Sequence, residues 1–170
     1  MTPTATKKHE ARDLPPHDLA TALAAPVAMI ADLGWAAGFI DGEGCISAVW
    51  QRYKDPARRT CIRIKLQVAQ NDYSSLRRLQ NILGVQSEIV QLKRTQAQNR
   101  PVYSLNFDTR HAIGALLKVA PFLHRKKMEA ETCFQLWVEG MMGVRFGPKP
   151  IPDEIWAIRE KYLLKLQRLK

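Results

Sequence analysis

Glu43 stands between Gly42 and Gly44 and follows a segment in which Gly34, Ala37, Gly38 and Asp41 fall at i, i+3, i+4 and i+7. A carboxylate at the end of a helix lined by small residues is well presented, and carboxylates are the usual holders of hard divalent cations. A second set has donor chemistry. Arg63, Lys65 and Gln67 alternate with Ile62, Ile64, Leu66 and Val68; Arg and Gln can reach base edges in a major groove, and Lys pairs readily with phosphate. By itself such alternation establishes only a half-buried strand. A third set is the basic run Arg125-Lys126-Lys127, which alone describes a solvated charged face.

The elements that position these groups follow from periodicity. Ile30–Asp41 is expected to be a helix, with a short separate helix at His17–Ala25. Two glycines inside a helix cost about 1 kcal/mol each against Ala, so they call for compensation. Close approach of another helix backbone supplies it, and the bulky Leu33, Trp35, Phe39 and Ile40 on the remaining surface favour that over a loose helix. Gly42-Glu43-Gly44 should stop the helix in a turn that takes positive φ. Cys45–Tyr53 and Thr60–Gln70 are strands, the first with Ser47, Val49 and Gln51 opposite Ile46, Ala48 and Trp50. Asp72–Leu83 is a helix ended by Gly84. Ser87–Arg94 and Val102–Phe107 are strands, with Val90, Leu92, Tyr103, Leu105 and Phe107 assigned to the core. Ile89, Gln91, Lys93, Val102, Ser104 and Asn106 are assigned to the outer face. Helices follow at Thr109–Val119, about His124–Glu139 and Asp153–Leu169, the last with Asp153 as N-cap.

The resulting order, α-β-β-α-β-β-α-α-α, describes an α+β domain: a four-stranded antiparallel sheet covered by helices on one face and polar on the other. Residues 1–26 are expected to be a partly flexible extension, 27–170 a single domain with a core at 30–139 and a C-terminal helix at 153–169. The chain has 170 residues, 46% of them apolar, enough for one compact core. Its 26 Lys and Arg against 16 Asp and Glu leave a net charge of +10, which favours a polyanionic partner, nucleic acid before an anionic membrane. No apolar run spans a membrane, since Pro26 and Asp32 interrupt Leu19–Leu33. The N-terminus lacks the order of a secretory signal, and Glu10, Asp13 and Asp18 argue against a transit peptide. An intracellular setting, bacterial cytoplasm or organelle matrix, is expected. The three cysteines, Cys45, Cys61 and Cys133, lack zinc-ligand spacing.

The segment Ala36-Ala37-Gly38-Phe39-Ile40-Asp41-Gly42-Glu43-Gly44 resembles the LAGLIDADG motif of homing endonucleases. Ala37, Gly38, Ile40, Asp41 and Gly44 match the motif letters; Ala36 and Phe39 replace its leucines, Gly42 its second alanine and Glu43 its last aspartate. The resemblance extends over about Leu33–Glu139. The family's single-motif members carry a glutamine at the end of the second strand, where Gln67-Val68-Ala69-Gln70 stands here. They also carry a Pro-Phe-Leu followed by a functional lysine, matched by Pro121-Phe122-Leu123-His124-Arg125-Lys126.

That resemblance implies a site-specific, intron-encoded type of DNA endonuclease acting as a homodimer on a long pseudo-palindrome and leaving 3′ overhangs. Mg2+ would be the cofactor, with Mn2+ substituting and Ca2+ binding without cleavage. It implies catalytic roles for Glu43, Gln70 and Lys126, and metal binding by Glu43 and the Gly42 carbonyl. Dimer packing would use Gly34, Ala37, Gly38 and Asp41. Phosphodiester hydrolysis needs charge neutralised at the attacking water and the leaving oxygen, and one well-presented acid per chain is too few for two strands. Two copies packed through the small-residue stripe would bring two Glu43 together. Gln70 falls on the apolar parity of its strand, so a bulge or the strand end must redirect it. DNA contacts are expected from Ser47, Val49, Gln51, Arg63, Lys65, Gln67, Gln91, Lys93, Ser104 and Asn106 on the sheet, and from Arg58, Arg59, Arg94 and Arg100 on loops. Arg77 or Arg78 is the possible source of a second basic group, since Ser74 occupies the family's place for one. The alternative from another class is a non-cleaving nucleic-acid binder of the same fold, an intron maturase (with RNA as partner) or a transcription regulator.

Overall fold

The computed structural model of the chain describes residues 16–52, 61–93, 100–142 and 151–170, with side chains from residue 26 onward. Helix α1 (Pro16–Glu43) runs directly into β1 (Gly44–Gln51), followed by β2 (Cys61–Gln70), α2 (Tyr73–Leu83), β3 (Ile89–Gln91), β4 (Tyr103–Asp108) and α3 (Arg110–Val119). A 3-10 turn at Ala120–Phe122, α4 (Lys127–Gln135), a π-helical turn at Leu136–Met141 and α5 (Asp153–Arg168) complete the order. Contacts divide the chain between Ala31 and Asp32, and the sheet with all later helices lies in the larger unit. No described helix is long and apolar enough to cross a membrane.

The expected α+β architecture is present. The sheet is antiparallel throughout, in the order β1-β2-β4-β3. One face is core: Ile46 and Ala48 from β1, Ile62, Ile64, Leu66 and Val68 from β2, and Leu105 and Phe107 from β4 are buried with Leu76, Leu79 and Leu116 of the covering helices. The alternation of β2 is the sequence pattern made visible, since its buried residues take every second position. Helix α5 packs on β1, α4 and the π turn. Buried Arg159 fixes it there, donating from Nε to the Gly140 carbonyl at 2.8 Å, while Trp156 meets Trp50 at 5.3 Å.

Several expectations need correction. The two N-terminal helices are one: α1 continues through Pro26. Proline removes a single backbone donor, and the surrounding alanines, Ala20, Ala22, Ala24, Ala25 and Ala28, are the strongest helix formers. Neither Gly42 nor Gly44 takes positive φ; among the described residues only Gly84 and Thr109 do. Gly44 is required for closeness instead, because a Cβ there would lie 2.6 Å from the Ile40 carbonyl oxygen. The cap of α5 is Pro152, with Asp153 inside the first turn. The helix expected from His124 begins at Lys127 and turns π-helical after Gln135.

The largest error is the edge strand. β3 is three residues long, and its register places Ile89 opposite Leu105, Val90 opposite Ser104 and Gln91 opposite Tyr103. Residues directly opposed share a face, so Ile89 and Gln91 lie on the helix side while Val90 joins the outer face. Gln91 and, by the same alternation, Lys93 are therefore not on the outer sheet face, although both are exposed. Val90 and Leu92, assigned to the core, are 44% and 39% exposed. Local alternation misassigned them because the rule that apolar residues are buried runs one way only.

Candidate active site

The end of α1 is the centre of the site. Ile40 is buried and Ala36 and Ala37 are wholly buried in the chain's own core, whereas Gly38, Gly42 and Glu43 are exposed and Gly34 is half-exposed. Nothing lies within 4 Å of a Cβ built on Gly34, Gly38 or Gly42. The open small-residue face is thus Gly34–Gly38–Gly42, at i, i+4 and i+8, and not the stripe through Ala37 and Asp41. Ala37 is excluded by burial, and Asp41 is occupied elsewhere.

Asp41 holds the segment that carries Lys126. Its Oδ2 accepts from the backbone N–H of His124 at 2.8 Å and Arg125 at 3.1 Å, and its Oδ1 from that of Lys126 at 2.8 Å. Burial alone would raise the Asp41 pKa, but these N–H donors and the Lys126 charge outweigh it and hold the carboxyl below its ordinary 3.8. In return, the nearly buried Lys126 donates from Nζ to the Asp41 carbonyl at 2.5 Å. This places an ammonium at the negative end of the helix dipole, among carbonyls that have no partner within the helix. Two backbone positions separate that carbonyl from Glu43.

A depression of about 310 Å3 opens beside this junction, lined among others by Gly42, Gly44, Arg125, Lys126, Glu129 and Lys170. Two of these were missed from sequence. Glu129 follows Lys126 at i+3, a spacing that could have placed both on one side of α4; for Lys170, brought in by α5, no sequence signal exists. Gln70 ends β2, and the register that pairs Gly44 with Val68 puts it at the same end of the sheet as Glu43. The β2–β4 register is unbroken to Gln70, which pairs with Tyr103, so no bulge turns it to the outer face. Its Oε1 accepts from the Asn71 N–H at 2.8 Å. Arg77 and Arg78 lie at a separate depression with Asp32, Tyr73 and Ser74. Arg78 pairs with Asp32 at 3.0 Å and stacks over Trp35, and Arg77 donates to Gln80.

Among the described residues no three His, Cys, Asp or Glu side chains cluster as a metal site. The donors at the junction are an exposed carboxylate, Glu43, and the Gly42 carbonyl, at the electronegative end of a helix. Both are hard oxygens, so the chemistry fits Mg2+ or Ca2+ rather than zinc.

The outer sheet face reaches this depression at Cys45, which lines it and stands opposite Gln67. It carries Ser47, Val49 and Gln51 from β1, half-buried, opposite Lys65, Arg63 and Cys61. Beyond β2 lie Asn106 opposite Gln67 and Asp108 opposite Lys65. Asp108, absent from the sequence-derived set, pairs with Arg63 at 3.4 Å. Arg100 is exposed at a loop, while Arg58, Arg59 and Arg94 fall outside the described residues.

Comparison with known proteins identifies the fold and the family. No curated sequence matches the chain significantly. Among solved structures, the homing endonuclease I-CvuI superposes with a TM-score of 0.65 at 20% identity over 84% of each chain, in a complex with an I-CreI target and Mg in which the DNA is uncleaved. I-CvuI with its own target in Ca is matched at 0.65 and 21%, over 85% of each chain. The archaeal intron-encoded homing endonuclease I-Vdi141I, complexed with DNA, is matched at 0.57 and 19%, over 81% of this chain and 83% of that one. These likenesses establish the fold. The profile described as LAGLIDADG endonuclease matches residues 36–140, from the first motif position into the π turn. With well over half of its length so matched, the chain belongs to the LAGLIDADG endonuclease family, in its single-motif form.

Proposed function

We propose that two copies of this chain pack through the Gly34–Gly38–Gly42 face of α1 and cut both strands of a long pseudo-palindromic DNA site, leaving 3′ overhangs. The observation that carries this reading is the exposed Glu43 carboxylate at the end of an open glycine face, beside the pocket that holds Lys126. Tight helix pairing through glycines is a known packing mode, and a two-fold axis there would put two Glu43 side chains at one centre. The solved neighbours were crystallised with DNA and with Mg or Ca, which supports a divalent cation as cofactor.

Bound at Glu43 and the Gly42 carbonyl, such a cation would supply charge neutralisation at the oxygens of the reacting phosphate. The chain's own residues do the rest. Gln70 orients the attacking water through its amide, which does not titrate. Lys126 neutralises charge that builds on the phosphorane, and Asp41 holds Lys126 in place. Arg63, Lys65, Gln67, Ser47 and Gln51 meet the major groove from the outer sheet face, with Arg58, Arg59 and Arg100 on the flanking phosphates.

Incubating the protein with a pool of duplexes, including its own genomic insertion locus, tests this reading. Double-strand cleavage in Mg2+ or Mn2+ but not Ca2+, abolished by Glu43→Gln, is expected. Binding without cleavage in every metal would contradict the endonuclease reading and leave a non-cleaving binder. A stable monomer on DNA by size-exclusion chromatography would contradict the dimer.

A further inference from the structure

Ser104 is fully buried although its position in β4 faces the outer side of the sheet. Ala69 stands opposite it on one flank and Val90 on the other. Its hydroxyl joins two amides: Gln67 donates from Nε2 to Ser104 Oγ at 3.0 Å, and Ser104 Oγ donates to Asn106 Oδ1 at 3.2 Å. Gln67 and Asn106 are themselves directly opposed across β2 and β4.

We propose that Ser104 sets which base this part of the sheet accepts, by coupling the two amides in opposite polarity. The inference rests on the reading that the outer face meets DNA. A serine hydroxyl carries one proton. With Gln67 donating to it, it donates to Asn106; in the reversed relay Asn106 donates and Gln67 accepts. Either way one amide turns its nitrogen inward and the other its oxygen. The groups left facing outward are therefore one carbonyl oxygen and one N–H2. If both oxygens turned inward, one would lack a proton; if both nitrogens did, the buried hydroxyl proton would lack an acceptor. The first forfeits the hydrogen bond one amide oxygen would accept, and the second leaves a proton of the buried hydroxyl unsatisfied, which is costly.

A paired acceptor and donor matches the major-groove edge of adenine, which offers the N6 amino donor beside the N7 acceptor. Guanine offers two acceptors, O6 and N7. On a single purine edge both relay directions therefore read adenine and disfavour guanine, so the strand sense of the base need not be fixed. Ser104 is a positioning residue, acting through Gln67 and Asn106.

Selection of bound duplexes from a library randomised across the half-site tests this. Gln67→Ala and Asn106→Ala locate the base pair that the two amides meet. At that position the unsubstituted protein should enrich adenine over guanine about tenfold, the low end for a bidentate contact. Ser104→Ala should reduce the ratio to within about threefold while leaving preferences elsewhere unchanged, and Ser104→Thr should retain it. Asn106→Asp, at an exposed position that does not endanger folding, removes the amide donor and should abolish the adenine preference. Survival of that preference in Ser104→Ala or Asn106→Asp overturns the proposal. Selected sites with no adenine at the mapped position overturn it while leaving the endonuclease reading intact; failure to select any duplex overturns both.

Discussion

Replacing Asp41 by Asn perturbs the site without touching any group assigned to the reaction. The carboxylate accepts three backbone N–H bonds at 2.8, 3.1 and 2.8 Å from residues 83 to 85 positions further along the chain. An amide keeps one acceptor oxygen and presents N–H2 where the second oxygen was, so at least one backbone donor loses its partner. Hydrogen bonds to a charged acceptor contribute about 1.5–3 kcal/mol each, but this side chain is half-exposed and water replaces part of the loss. A net destabilisation of about 2 kcal/mol follows, comparable to the loss of a strong helix cap. For a chain of this length that lowers Tm by about 4–8 °C. Its effect on cleavage should be larger than its effect on stability, because the same contacts place Lys126, and a displacement near 1 Å can cost about a hundredfold. Single-turnover cleavage in Mg2+, at a temperature where the variant is folded, reads that loss. Since Asp41 acts through Lys126, Asp41→Asn combined with Lys126→Met should be no slower than Lys126→Met alone. Unchanged cleavage in Asp41→Asn, or fully additive losses in the double variant, would refute the reasoning.

Other predictions rest on separate contacts. Gly44→Ala should destabilise the fold by more than about 2 kcal/mol, because its Cβ meets the backbone oxygen of Ile40 at 2.6 Å and the helix–strand junction must shift. Gly38→Leu meets open space within its own chain, so it should leave Tm largely unchanged yet weaken the dimer in sedimentation measurements. Asp72 caps α2, and the Ser75 and Ser74 hydroxyls together with their backbone N–H groups bring its pKa from 3.8 to about 2. Its folded pKa is depressed, so its stabilisation is complete above about pH 4 and disappears as pH falls through 2; Asp72→Asn should flatten that part of the stability profile in acid titration. Burial, and secondarily the Glu129 charge, pushes the Cys133 thiol up to about 12. Iodoacetamide at pH 8 should therefore label exposed Cys45 far faster than Cys133 in the native protein, with the difference vanishing in denaturant.

The features legible in the sequence were those written in local pattern. The alternation of Ile62, Ile64, Leu66 and Val68 identified both faces of β2, because a strand in the middle of the sheet must bury one face along its length. Gly84 marked the end of α2, where it takes the left-handed cap conformation, and motif spacing singled out Glu43 and Lys126, which the fold brings to one helix end. Features that depend on distant partners were not legible. Asp41 was taken for a packing residue because its spacing matched the glycines, while its actual partners lie over eighty residues away. The face of β3 could not be read from three edge residues whose apolar side chains remain exposed. The burial of Ser104 is set by Ala69 and Val90 on neighbouring strands, so it too required the register. Arg159, which no local pattern singled out, is buried and satisfies a carbonyl of the π turn.

The most direct test of a catalytic centre shared between two copies uses a mixed dimer. Differently tagged unsubstituted and Glu43→Gln chains are co-expressed, the heterodimer is isolated by sequential affinity steps, and its cleavage of the selected duplex in Mg2+ is followed on denaturing gels. One Glu43 per dimer should fail to make double-strand breaks, at a rate at least about a hundredfold below the unsubstituted dimer. A heterodimer that breaks both strands as fast as the unsubstituted protein, or a Glu43→Gln homodimer that cuts at all efficiently, would contradict it.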